Sequence, residues 1–100
     1  TANALMAAVT AEGVTEILNA ATEPEICSLI DFLIIMGAKI SGKYTSHLII
    51  QGVEKLNAAA MNMIPDRIEA GTFLIAGAIT KSRITVERCC PEHLQALIEK

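Results

Sequence analysis

Apolar positions recur along this chain in two rhythms, and the rhythms predict its elements. Ile26, Leu29, Ile30, Leu33 and Ile34 return every third or fourth residue, which places them on one face of a helix. Thr22 and Glu25 stand before this run as a T-x-x-E capping box, and Gly37 supplies its stop. The same spacing predicts a first helix from Ala2 to about Glu12, with Leu5, Met6 and Val9 apolar and Gly13 behind it. A third helix is expected from about Asp66 to Ile79. Asp66 caps it, and Glu69 lies where a carboxylate favours the positive end of the helix dipole. A fourth starts at Pro91, a preferred first helical residue, with Leu94, Leu97 and Ile98 on one face.

The second rhythm is alternation. Val14 to Ala20 and Arg83 to Arg88 read as strands, the latter with Ile84 and Val86 inward and Thr85 and Glu87 outward. Lys39 to Ser41 and His47 to Gln51 form a hairpin around Gly42, and a weaker strand runs through Met61 to Met63. The order is α-β-α-β-β-(β)-α-β-α, an α/β (α+β) chain with no linker, low-complexity stretch or charge block. Part of it repeats. Gly13-x-x-x-Ile17-x-Asn19 before Pro24-Glu25-Ile26 resembles Ser82-x-x-x-Val86-x-Arg88 before Pro91-Glu92-His93-Leu94. The period, about 68 residues, is longer than that of solenoid repeats. It implies a unit of two helices on a small sheet, used more than once.

Composition narrows the function classes. Hydrophobic residues make up 52% of the 100 and aromatics 3%, so an aliphatic core forms and disorder is excluded. Few aromatics and a net charge of −3 leave no footprint for nucleic acid or an anionic membrane. No apolar run, Phe32 to Met36 included, approaches the roughly 20 residues that cross a bilayer. Three cysteines, two of them adjacent at Cys89 and Cys90, predict free thiols and a reducing cytoplasm. The chain opens at Thr1 inside a helix, without methionine or signal peptide, and reads as an internal segment.

The candidate site residues cluster at two helix entrances. Glu23 and Glu25 flank Pro24. Capping and dipole compensation explain them, and so does a pair of acids at a polar cleft that suits sugar hydroxyls. Asp66, Arg67 and Glu69 open an otherwise apolar helix. The two acids suit that place; Arg67 does not, because a cation near a helix N-terminus is unfavourable by about 0.3 kcal/mol or more. An acid such as Glu69 or Glu23, a ligand or a partner domain must offset it. Gly71 sits inside the helix at a cost of roughly 1 kcal/mol against alanine, and is expected to admit a second helix closely. Cys89 and His93 stand four apart, but lack the further ligands a zinc site needs. Cys27, on the polar flank of the second helix, has no activating neighbour, and His47 is an ordinary strand histidine. No catalytic triad, phosphate loop or dinucleotide fingerprint is present.

These runs together carry a family likeness. Ala11-Glu12-Gly13, Ile17-x-Asn19-Ala20-Ala21-x-Glu23-Pro24-Glu25-Ile26, Leu33-x-x-x-Gly37-Ala38-x-Ile40-x-Gly42 and Pro65-Asp66-Arg67-Ile68-Glu69-Ala70-Gly71-Thr72-Phe73 span the chain. The combination is similar to the UDP-N-acetylglucosamine 1-carboxyvinyltransferases. The related shikimate-pathway enolpyruvyl transferases share the fold, but usually read P-D-x-S where this chain has P-D-R-I-E.

The resemblance implies lobes built from three βαβαββ repeats, with helices inside and small sheets outside. Residues 1–100 would then form part of one lobe, about one and a half repeats. The parent would transfer enolpyruvyl from phosphoenolpyruvate to the 3-hydroxyl of UDP-N-acetylglucosamine, the first committed step of peptidoglycan synthesis, without a cofactor. The resemblance puts the reactive-loop Cys or Asp, the phosphoenolpyruvate-binding Lys and Arg and the catalytic Asp outside this segment. No residue here, Cys27, Cys89 and Cys90 included, is then catalytic. Glu23, Glu25, Asp66, Arg67 and Glu69 would line or support the substrate cleft, beside the rest of the parent chain. The alternative is a non-catalytic structural or interaction module built from the same repeat.

Overall fold

A computed structural model describes all 100 residues. The elements are α1 (Ala2–Ala8), β1 (Val14–Leu18), α2 (Pro24–Ile35), β2 (Lys39–Ser41), β3 (His47–Gln51), α3 (Arg67–Thr80), a 3₁₀ turn (Pro91–Leu94) and α4 (Gln95–Ile98). They fall into two compact units, Thr1–Met63 and Ile64–Lys100.

In the first unit β3 is the central strand of an antiparallel sheet ordered β1-β3-β2. Val14 pairs with Gln51 and Leu18 with His47 on one side, and Lys39 with Gln51 and Ser41 with Ile49 on the other. Alternation decides the faces: Leu48 and Ile50 are buried, while His47, Ile49 and Gln51 are exposed. Leu5 and Val9, together with Ile30 and Leu33 of α2, close over the buried face with Ala8, Ala20 and Ala38. Both helices thus lie on one side of a small sheet. Gly42 lets the hairpin turn, with φ +88° and no room for a Cβ beside the His47 carbonyl. Lys43 of that loop pairs with Asp31 of α2, and its ammonium also lies 4.5 Å from the Tyr44 ring centre. Asp31's carboxylate, with Tyr44, holds the Lys43 amine above its ordinary range.

The second unit is α3 with the C-terminal turn and helix against it. Gly71 is buried beside Leu94 and Leu97, so close that an added Cβ would sit 2.9 Å from Leu97 Cδ2. The expected close approach of another helix is therefore made, by the 3₁₀ turn and α4. Much of α3 stays open: Ile68, Phe73, Ile75 and Ile79 are all exposed.

Several boundaries differ from the sequence expectation. The first helix stops at Ala8, because residues 9–13 carry the chain round to β1: the Val9 carbonyl accepts the Val53 N–H at 2.9 Å. Thr22 and Glu25 make no capping box; the N-cap is Glu23, with no side-chain cap bond. Pro24 at the first helical position sets that start, which leaves Thr22 one residue too early. Arg83–Arg88 and Met61–Met63 form no strand, since neither finds a ladder partner. Residues 52–66 run without regular structure, where no linker was expected. The last helix opens at Pro91 as expected, but as a 3₁₀ turn. Cys27 is buried rather than on a polar flank.

Candidate functional site

The two predicted helix entrances lie in different units, and each has its own geometry. In the first unit the Glu23 backbone is extended (φ −60°, ψ 154°), and its carbonyl accepts from Ile26 N–H at 2.9 Å and Cys27 N–H at 3.1 Å. The Glu23 and Glu25 side chains are exposed. Glu25, in the first turn, has the sign that the dipole favours.

The second entrance is more built. Asp66 Oδ1 accepts from Ile68 N–H at 2.8 Å and Glu69 N–H at 3.1 Å, satisfying two of the donors a helix start leaves unpaired. Asp66 and Glu69 also line a cleft of about 310 Å³, with Pro65, Ala70, Phe73, Val86, Glu87, Arg88 and Cys89 as its other walls. Three carboxylates and one guanidinium therefore meet an apolar floor. Arg67 does not share this cleft. It lines a separate cavity of about 320 Å³ with Ile68, Thr72 and His93, so α3 presents its acids and its base to different spaces.

Glu87, Arg88 and Cys89 were not read as site residues from the sequence. One signal pointed there: Arg88 occupies the repeat position of Asn19, and both residues adopt left-handed backbone, φ 56° and 55°. Such a conformation is uncommon for a residue other than glycine. It turns the chain sharply before Pro91 and before Pro24, and brings residues 86–89 to the cleft wall.

Beyond the cleft, the Cys90 thiol donates to Glu92 Oε2 at 3.0 Å. That carboxylate pushes the thiol above its ordinary range, and the same bond lowers Glu92. Glu92→Ala should therefore speed alkylation of Cys90 by iodoacetamide at pH 8, because the thiolate is the nucleophile. Peptide mapping reads the rate; an unchanged or slower rate would contradict the bond. No three His, Cys, Asp or Glu side chains gather as a metal ligand set.

The family model described as EPSP synthase (3-phosphoshikimate 1-carboxyvinyltransferase) matches residues 1–100. The chain belongs to this EPSP synthase family. Among curated relatives, it is 58% identical over 100 residues to the UDP-N-acetylglucosamine 1-carboxyvinyltransferase of Bdellovibrio bacteriovorus. It is 57% identical to the protein of that name from Hydrogenovibrio crunogenus, and 56% to that from Solibacter usitatus. In each case all of this chain is covered, and it spans 24% of the relative's length. Membership of the EPSP synthase family agrees with the mixed architecture of helices on a small antiparallel sheet. No helix is long and apolar enough to cross a membrane.

Proposed function

We propose that this chain is part of a UDP-N-acetylglucosamine 1-carboxyvinyltransferase, a cytoplasmic enzyme of peptidoglycan synthesis. The parent moves the enolpyruvyl group of phosphoenolpyruvate to the sugar 3-hydroxyl and releases phosphate. The observation that carries this is the identity of 56–58% to three enzymes of that name over every residue of the chain. The reaction is an addition followed by an elimination. It needs a proton for the enol carbon, a base for the hydroxyl and cations for the phosphates.

The residues of this segment suit a different task. Asp66 spends Oδ1 on the helix cap, and Oδ2 retains lone pairs for a sugar hydroxyl. Glu69 stands beside it on the cleft wall. In this reading Glu23 and Glu25 serve in the same way at the entrance of α2, and the Arg67 charge is offset by an acid of the chain, a ligand or a partner domain. All five orient substrate or support the groups that do; none is the proton donor. Residues 1–100 are part of one lobe made of βαβαββ repeats, a reading supported by the matching left-handed turns at Asn19 and Arg88. The remaining three quarters of the parent, on the 24% coverage, complete the site and cover the apolar residues α3 leaves exposed. Alone, the segment does not catalyse.

Arg67→Ala in the full-length parent tests this reading. Turnover should fall, while stability changes by less than about 1 kcal/mol. Phosphate release and thermal unfolding read the two quantities. Unchanged kinetics would reduce Arg67 to a structural role.

A further inference from the structure

We draw no further inference here: the strongest candidate, the cavity of about 320 Å³ lined by Arg67 and His93 between α3 and the C-terminal turn, carries nothing, because His93 Nδ1, buried without a partner, has almost no exposed surface for a ligand to reach, and nothing in the structure shows what covers the apolar walls.

Discussion

Gly52→Ala is expected to lower the stability of the first unit by about 3 kcal/mol, at the upper end of what overpacking costs. Gly52 follows β3 directly, and its N–H donates to the Gly13 carbonyl at 2.9 Å. An alanine Cβ there would overlap the Ala11 carbonyl oxygen and lie 2.8 Å from its carbon. Both atoms are backbone, so no side chain can swing away. Relief requires the α1–β1 connection to separate from the end of β3, which also strains the Val53–Val9 bond. Gly13→Ala is the natural control. Gly13 has φ +90° but nothing within 4 Å of an added Cβ, so only left-handed backbone strain of about 1–2 kcal/mol is incurred. Urea midpoints followed by circular dichroism separate the two. A Gly52→Ala loss no larger than that of Gly13→Ala would contradict the close approach.

The second large effect concerns Asp66, whose carboxylate both caps α3 and faces the cleft. Asp66→Ala should cost about 1 kcal/mol of stability, the usual weight of an N-cap side chain. Asp66→Asn should keep nearly all of it, since asparagine caps as well as aspartate. In the full-length parent the pair should part company. Asn retains the fold yet should lower kcat/KM by roughly tenfold or more, the weight of one hydrogen bond to a charged group. Unimpaired kcat/KM in Asp66→Asn would leave the residue only its cap.

How much of this was legible in the sequence depends on whether the partner of each pattern was local. The run Ile26 to Ile34 with Gly37 predicted α2, because helical hydrogen bonds close within the segment. Asp66 as the cap of α3 was read correctly for the same reason: the N–H donors its carboxylate accepts from lie within three residues. The hairpin about Gly42 also formed, since its two strands are neighbours in sequence. Arg83–Arg88 failed on that count. Its alternation of Ile84 and Val86 is real, but an extended chain becomes a strand only when another strand takes its hydrogen bonds. Here Ile84 packs against Gly77 of α3 instead.

The geometry around the candidate site residues was only partly legible. The pattern P-D-R-I-E marked Asp66, Arg67 and Glu69, yet could not reveal that α3 sends the acids and the base to separate cavities. Residues four apart share a face, whereas Asp66 and Arg67 are neighbours and diverge. Glu87, Arg88 and Cys89 were hidden because tertiary folding, through a left-handed turn at Arg88, carries them to the cleft.

The central claim is that this chain holds one part of a substrate cleft and that its parent completes it. Titrating UDP-N-acetylglucosamine into the 100-residue chain and into the full-length parent, with backbone amide shifts followed in each, tests that most directly. Saturable shifts are expected in the parent, and only unsaturated, scattered shifts in the chain alone. Tight, saturable binding by the 100-residue chain would contradict the account.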